Sequence, residues 1–419
     1  MSGYRARSFA AGGGRAARRA LFLLLAPLFQ APLLDAAVIY VSTNTGSDAN
    51  SGLLSSAPKS TLNSAFSAAS NGDTIKIASG VYTESLDAMN KSLSFEGGYA
   101  ADFLSRDYAV HRSTVMGRFW VNTGGLNVGF DGIAVSSGLT PFYLYWSGNS
   151  YSTVTITNSV IFNSSAPAID TYGSQYFSLT VASSTIYNCR TGIALGPATH
   201  RTAAIRNNTI SEIREFGGDI GDGKTGIGID AQGYGTLDIS SNAISRAAIY
   251  GIDGGYPNGM TLVAGNIVTD CGSGGSGGYS NGGIRFSAGS VQIRNNLIAR
   301  CSFTAIILDY SNYGSVIRNN TIVGSNTDFA VEEGNGAVFR NNIILNAWVG
   351  FSGTDIDVTE ISHNLFGDLN IDRVQHGLYD FFEPGLSFLT PTLHDNLLIP
   401  AASTAAVFAN AAEIGRAHV

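Results

Sequence analysis

Short apolar segments recur along the chain, and the same polar step interrupts them. A six-residue phrase starts and ends on an apolar residue, as in Ile205-Arg-Asn-Asn-Thr-Ile210 and Ile317-Arg-Asn-Asn-Thr-Ile322. A second apolar step follows each phrase, for example Gly251-Ile252 and Gly283-Ile284. Both steps are short, rich in β-branched residues and bounded by Gly or Asn, which predicts strands with no helical segment between them.

The spacing of the phrase indicates the architecture. Its fourth position holds Ser or Asn in nine copies that lie 22 to 34 residues apart: Ser159, Ser184, Asn208, Asn242, Asn266, Asn296, Asn320, Asn342 and Asn364. Such a period predicts a solenoid, in which each coil buries its apolar face against its neighbours. Asn tolerates the left-handed backbone conformation, which we expect at this position, and stacked amides can hydrogen-bond from coil to coil. The sequence therefore predicts an all-β parallel β-helix with a structural ladder formed by the seven Asn residues.

The N-terminal part of the chain resembles a known family. Residues 39–52 read Ile-Tyr-Val-Ser-Thr-Asn-Thr-Gly-Ser-Asp-Ala-Asn-Ser-Gly, and residues 71–77, 80–84 and 95–99 read Asn-Gly-Asp-Thr-Ile-Lys-Ile, Gly-Val-Tyr-Thr-Glu and Phe-Glu-Gly-Gly-Tyr. These segments resemble the first coils of secreted right-handed parallel β-helix proteins in the pectate-lyase-like superfamily. The resemblance implies a single right-handed solenoid of about a dozen coils, with a short capping helix around Leu62, Phe66 and Ala69. It says little about activity, because the superfamily includes lyases, glycoside hydrolases, epimerases and adhesins.

The two ends of the chain carry separate signals. Five arginines precede the apolar stretch Ala20–Phe29, and Ala36 and Ala37 follow it, which predicts a signal peptide over residues 1–37. We expect the N-terminal cap and first coils at 38–110, the β-helix repeats at 111–366 and a closing segment at 367–412. Residues 413–419 match the translation of a sequencing-adapter oligonucleotide and are expected to be an artefact, so that the native C-terminus lies beyond this sequence. Truncation from a longer cell-surface protein belongs to the stalk alternative given below.

The composition of the chain limits the classes of partner that it can bind. Charged residues make up 13% of the chain and the net charge is −7, so nucleic acid and anionic membranes are disfavoured. No later segment is apolar enough to anchor the chain in a bilayer. We therefore expect a monomeric mature protein that is secreted, periplasmic or attached to the cell surface, with a polysaccharide or surface glycan as its partner.

Acidic residues follow the second apolar step in several coils: Asp170, Asp230, Asp253, Asp309 and Glu332. Asp230 and Asp253 fall on consecutive coils, which predicts a backbone separation of about 4.8 Å. Two carboxylates so close suit acid and base roles on a glycosidic bond, a shared proton, or calcium binding. Solvated turn residues are the alternative, because Asp is favoured in turns for its local hydrogen bonds. Long insertions before Asp230 and at residues 272–283 would flank a groove.

Three further residues are candidates for substrate binding. Lys224 lies in the first insertion, Asp309 follows a later apolar step, and Trp146 lies among tyrosines that suit stacking on sugar rings. The motifs of pectate lyases and polygalacturonases are absent. The sequence predicts an exported protein that binds extracellular polysaccharide and, in one interpretation, cleaves it as a lyase or glycoside hydrolase. The alternative is a non-enzymatic adhesion or stalk protein; no cofactor is required, and calcium is an optional ligand of Asp230 and Asp253.

Overall fold

The computed structural model describes residues 36–367, 392–394 and 397–399, apart from 146–148, 172, 174–175, 197–199, 215–224, 233–234, 256–258, 275–280, 288, 312–313, 325–328, 336, 348–349, 351 and 354–359. The predicted signal peptide, most of the closing segment and the adapter-like end lie outside these residues, so those boundaries stay predictions.

The described chain winds through three strand ladders, here called faces 1, 2 and 3. The strands pair in parallel with their counterparts on the next coil. Face 1 contains 14 strands: Val38–Val41, Thr74–Ala78, Ser94–Tyr99, Asn127–Asp131, Ser152–Thr157, Tyr176–Ala182, His200–Arg206, Thr236–Ser240, Thr261–Ala264, Val291–Arg294, Val316–Arg318, Val338–Arg340, Glu360–Ser362 and Thr392–His394.

Faces 2 and 3 share a second, 22-stranded sheet, because two long strands, Val160–Asp170 and Thr185–Ala194, run through both. Face 2 otherwise comprises Gly80–Tyr82, Ser113–Met116, Ile133–Ser136, Thr209–Ile213, Ala243–Ala247, Ile267–Thr269, Leu297–Ala299, Thr321–Val323, Ile343–Leu345, Leu365–Gly367 and Leu397–Ile399. Face 3 comprises Leu86–Met89, Phe119–Val121, Phe142–Leu144, Ile227–Ala231, Tyr250–Gly254, Gly282–Phe286, Thr304–Ser311, Phe329–Asn335 and Ser352–Gly353. The all-β parallel solenoid predicted from the sequence is confirmed.

The interior is a stack of apolar side chains from alternate strand positions. Face 1 strands show this alternation directly, since buried and half-buried residues alternate along Ser152–Thr157. Near the N-terminal end the core is aromatic: Phe95 stacks on Phe130 with ring centroids 5.2 Å apart, and Phe119 stacks on Phe142 at 5.5 Å. Further along, isoleucines take over, and Ile205 and Ile229 are fully buried. Each coil therefore buries its apolar residues against those of its neighbours.

The predicted capping helix is Leu62–Ala68, and it packs against Val38–Val41, the end strand of face 1. Thr61 caps its N-terminus by accepting a hydrogen bond from the Ser64 amide. The Glu84 carboxylate accepts from the Leu62 and Asn63 amides at 2.7 and 2.9 Å. At the other end, Lys91 donates to the carbonyl oxygens of the last turn. Both helix ends are thus tied to the coils beneath.

The turn between faces 1 and 2 carries the predicted Asn residues. From Asn208 to Asn342, each Asn donates its side-chain Nδ2–H to Oδ1 of the Asn on the next coil at 2.9–3.0 Å. Each Oδ1 also accepts the backbone amide of the preceding Asn, as Asn320 does from Asn296 at 3.0 Å. These side chains are at most 2% exposed. We call this continuous set, from Asn208 to Asn364, the Asn row.

The expectation that the Asn row itself is left-handed is wrong. Positive φ angles occur one residue earlier, for example at Asn207 (57°), Asn319 (57°) and His363 (57°). The left-handed residue turns the chain through the corner. Because of that turn, the next residue points its amide into the stack instead of toward solvent.

A second left-handed position lies at the end of face 2, four residues after the Asn row. Glu212, Arg246, Asp270 and Arg300 occupy it on consecutive coils, with φ between 51° and 55°. Arg246 pairs with Glu212, and the Arg300 guanidinium pairs with the Asp270 carboxylate at 2.7 Å. We call these four residues the charged row, since positive and negative side chains alternate along it.

Glycine allows face 3 to lie close to face 2. Gly192, Gly228, Gly251 and Gly283 occupy one position on four consecutive face 3 strands. A Cβ at Gly228 would lie 2.5 Å from the Gly251 carbonyl oxygen and 2.9 Å from Cγ2 of Ile244 on face 2. No side chain fits in that space, so the glycines allow this close approach of face 3 to face 2.

Candidate functional site

The outer side of face 3 carries one continuous line of residues, here called the outer row. Inward positions of the same strands hold the core isoleucines, such as Ile229 and Ile252. Strand pairing places the members of the outer row on successive coils in this order: Trp120, Tyr143, Asp170, Ala194, Asp230, Asp253, Arg285 and Ile307. The row changes along its length from aromatic to acidic to basic.

Asp230 and Asp253 pair in register, as their spacing predicts. Both are only 3% exposed, although they lie on the outer side of the solenoid. Oδ2 of Asp253 accepts a hydrogen bond from Nε2 of Gln232 at 3.0 Å. Oδ1 of Asp253 is buried and has no hydrogen-bond partner among the described residues. Burial of a carboxyl group whose oxygen lacks a hydrogen bond costs free energy, unless the group is protonated or binds a ligand.

Arg285 follows Asp253 in the outer row, and the sequence interpretation missed it. Its Nε and Nη2 both lie 2.7 Å from Oδ2 of Asp309. Its Nη1 lies 3.4 Å from the Tyr250 hydroxyl, and the guanidinium lies over the Tyr250 ring, 5.4 Å from the centroid. The signal was present, since Gly283-Ile284-Arg285 repeats the pattern of Gly251-Ile252-Asp253. Arg285, Tyr250, Gln232, Asp253 and Asp309 therefore form a single cluster.

The placement of Asp309 in the acidic column is wrong. Pairing aligns Arg285 with Ile307, so Ile307 occupies the outer row and Asp309 lies two positions further along its strand. From there Asp309 still contacts the outer row, through its ion pair with Arg285. The backbone of Glu332 does align with Ile307, while its side chain lies outside the described residues.

A small apolar cluster lies outside the main core and includes residues of the strands that carry Asp230 and Asp253. Ile227, Tyr250 and Ile307 pack together with Ile249 on the outer side of face 3. All residues of the strands Ile227–Ala231 and Tyr250–Gly254 are buried, so these strands are covered on both sides. The carboxylates therefore lie in a low-dielectric environment, where charge is expensive and ion pairs are strong.

This environment shifts the acid–base behaviour of the cluster. Burial raises the pKa of Asp253 to about 6, while the positive charge of Arg285 opposes the rise. Burial also raises the pKa of Tyr250 to about 12. Although burial works against it, the charge of Asp253 and the other acidic neighbours hold the pKa of Arg285 above its usual range. A carboxyl with a pKa near neutrality suits general acid catalysis.

The remaining candidates have different outcomes. Lys224 and Trp146 lie outside the described residues.

Among the residues that the structure describes, no group of three or more His, Cys, Asp or Glu side chains is placed to hold a metal ion. Arg285 beside Asp253 adds a positive charge that opposes a cation at the Asp230–Asp253 pair.

Comparisons with known proteins agree with this architecture. A family described as "Right handed beta helix region" matches residues 198–366, which include the Asn row and the second half of the outer row, from Asp230 to Ile307. These residues therefore match a right-handed parallel β-helix. No curated protein sequence matches the chain.

Solved structures align along most of the chain at low identity. A complex of XylC with xylose shares 11% identity with a TM-score of 0.47, covering 86% of both chains. A GH136 lacto-N-biosidase from Eubacterium ramulus shares 12% identity with a TM-score of 0.40, covering 87% of this chain and 68% of its own. Pectate lyase Pel9A shares 13% identity with a TM-score of 0.32, covering 86% and 78%. In the described part of the β-helix, no helix is long and apolar enough to cross a membrane.

Proposed function

We propose that this protein is exported, binds extracellular polysaccharide along face 3 and hydrolyses it at Asp230 and Asp253. The observation that supports the proposal is the buried Asp253 carboxyl, with a pKa raised to about 6 and a second carboxyl in register beside it. Glycoside hydrolysis uses two carboxyl groups in different protonation states. Asp253 suits the acid that protonates the leaving oxygen, and Asp230 supplies the second carboxyl group.

Arg285 has a positioning role in this proposal. Its guanidinium is held by Asp309 and Tyr250, so it lies beside Asp253 in one orientation. It limits the rise of the Asp253 pKa and keeps that carboxyl near the point where it can both give and accept a proton. Its side chain is 28% exposed, so part of it faces solvent, where a sugar hydroxyl can accept its hydrogen bonds.

The second candidate function is glycan binding without cleavage. Both carboxyls are only 3% exposed, and Arg285 already has an acidic partner in Asp309. A closed ionic cluster of this kind would stabilise face 3, and the more exposed parts of the outer row would hold the ligand. An adhesion or stalk protein would have this property.

The test is a screen of the purified mature protein against neutral and uronate-containing polysaccharides, with calcium and with a chelator. Hydrolysis predicts new reducing ends without unsaturated sugars, at the same rate in both conditions. Asp253→Asn should remove this activity, whereas Asp270→Asn, in the charged row, should keep it. Unsaturated products would contradict hydrolysis, and binding without product would favour the second candidate.

Export and assembly are part of the proposal. A signal peptide at residues 1–37 predicts that the secreted chain begins near Val38, which N-terminal sequencing of the exported protein checks. A monomeric mature chain predicts the mass of one polypeptide in light scattering. A start at Met1 in the exported protein would contradict the cleavage.

A further inference from the structure

Three arginines lie in register on the outer side of face 1. Arg294 pairs with Arg318, and Arg318 pairs with Arg340, on three consecutive coils. The residue before each arginine is buried in the core, so the arginine itself points outward from its strand. All three arginines are half-buried. We call these three residues the arginine strip.

The arginine strip brings like charges together. Paired residues on neighbouring parallel strands lie about 4.8 Å apart, and like charges in such positions repel each other. Among the ion pairs formed by the described residues, none includes a member of the arginine strip. The described part of the chain therefore carries a line of positive charge that no carboxylate of its own pairs with.

Arg206, an arginine at the same position of an earlier phrase, does have such a partner. It lies on the outer side of face 1 and pairs with Ser240 on the next coil. Its Nε lies 3.0 Å from Oδ2 of Asp238, two residues before Ser240. At the equivalent place, the coils that follow Arg294 and Arg318 hold valines. The same arginine position is thus neutralised on one coil and left charged on two others.

The side chains of the arginine strip retain donors for an external acceptor. Nε of Arg318 is buried and has no hydrogen-bond partner among the described residues. Glu360 lies at the place equivalent to Asp238 on the coil after Arg340, but its carboxylate accepts a hydrogen bond from the Ser362 hydroxyl. Because the arginines are already partly out of water, a carboxylate that binds them meets a smaller desolvation cost than it would at fully solvated side chains.

The surroundings of the arginine strip suit an extended acidic polysaccharide. Ala264 precedes the strip in register and Ser362 follows it, while the half-buried Val316 and Val338 lie beside it on the same strands. The planar guanidinium group binds carboxylates through two parallel hydrogen bonds. A polyuronate carries one carboxylate per sugar, and the length of one sugar is close to the rise of one coil. Such a chain would therefore meet one arginine on each coil.

We propose that the arginine strip binds the carboxylates of an acidic polysaccharide that runs along face 1, parallel to the solenoid axis. The strip is one residue wide and the net charge of the chain is −7, so the rest of the chain would repel a broad anionic surface such as a bilayer. Asp230 and Asp253 lie on face 3. The site on face 1 is therefore additional to the function proposed above and does not depend on hydrolysis at face 3.

Titration calorimetry with galacturono- and mannurono-oligosaccharides longer than three sugars tests this site, with Asp253→Asn as the background so that no probe is cleaved. We expect one uronate series to bind, more weakly as salt is added, and its methyl esters not to bind. The additional changes Arg294→Gln and Arg318→Gln together should weaken binding about tenfold. They should not lower the melting temperature, because they remove like charges from neighbouring strands.

The matched control combines Arg206→Gln and Arg300→Gln, which remove the same charge from arginines already paired with Asp238 and Asp270. It should bind the uronates like the background. Equal losses in both double variants would reduce the effect to net charge and overturn the site. Failure of both uronate series to bind, equal binding of the methyl esters, or binding only to phosphatidylglycerol vesicles would also overturn it. Uronate binding that needs the arginine strip, in a wild type that cleaves no polysaccharide, would support this site and contradict hydrolysis at face 3.

Discussion

The Asn row makes a quantitative prediction for Asn320→Ala. Asn320 donates Nδ2–H to the Ile293 carbonyl oxygen at 2.9 Å and to Oδ1 of Asn342 at 3.0 Å. Its Oδ1 accepts from the backbone N and from Nδ2 of Asn296, at 3.0 and 2.9 Å. Alanine removes all four bonds at a position that is 1% exposed.

The loss of unfolding free energy in Asn320→Ala depends on which of its hydrogen-bond partners are left without another hydrogen bond. Nδ2 of Asn296 keeps the Val263 carbonyl, and Oδ1 of Asn342 keeps the Asn320 backbone amide. The Asn296 backbone amide loses its acceptor inside the stack, and an unsatisfied buried group costs about 1–3 kcal/mol. We expect Asn320→Ala to lower the free energy of unfolding by about 3 kcal/mol, once the weakened neighbours are included.

Two comparisons make the test specific. Asn320→Ser should lose less, because Oγ of Ser184 accepts the Ser159 amide at 3.2 Å at the equivalent place in an earlier coil. Asn319→Gly changes the adjacent left-handed residue outside the Asn row and should cost only a few tenths of a kcal/mol. Urea unfolding measures the losses, and hydrogen exchange at the Asn296 amide locates them. Equal losses for Asn320→Ala and Asn319→Gly, or an unchanged exchange rate at Asn296, would refute the reasoning.

Two further predictions concern face 3. The Asp253 pKa, raised from 3.8 to about 6 by burial, means that its stabilising contribution is complete below pH 3.8 and is lost as the pH rises through 6. The unfolding free energy of the wild type, measured relative to that of Asp253→Asn, should therefore increase from pH 7 to pH 4. A difference that does not depend on pH would contradict this prediction. Gly228→Ala should lower the unfolding free energy by about 1–3 kcal/mol because its Cβ meets Gly251 and Ile244. Gly138→Ala, which has no atom within 4 Å of its Cβ, should change it little, and equal effects would argue against the close approach.

The fold could be predicted because the coils repeat one pattern: an apolar strand, a turn with a buried Ser or Asn, and further apolar strands. The left-handed position was misplaced because Asn fills both turn positions in four phrases, Asn207-Asn208, Asn295-Asn296, Asn319-Asn320 and Asn341-Asn342. Only phrases such as Gly265-Asn266 separate the roles. There glycine has the positive φ of 66° and asparagine takes the buried place in the row.

The candidate site was harder to predict, because register and outer packing decide it. The apolar run Ala305-Ile-Ile-Leu308 exceeds the run before Asp253, so placing the acid after the run shifted Asp309 by two positions. The sequence predicts that Asp230 and Asp253 are either solvated or line a groove, because Ile227, Tyr250 and Ile307 resemble core residues in sequence. Their packing on the outside of face 3 is tertiary, and no local pattern records it.

The side chains of the charged row differ in sign from one coil to the next, whereas every coil contributes the same residue type to the Asn row. Any Asn of the Asn row could hydrogen-bond to any other, so that row would accept a chain in which one coil had been skipped. The charged row would not, because omission of the Asp270 coil would bring Arg246 against Arg300, and like charges on neighbouring strands repel. Omission of two adjacent coils restores the alternation. Over evolutionary time, this part of the solenoid is therefore free to lengthen or shorten by pairs of coils, while single-coil changes meet an electrostatic penalty.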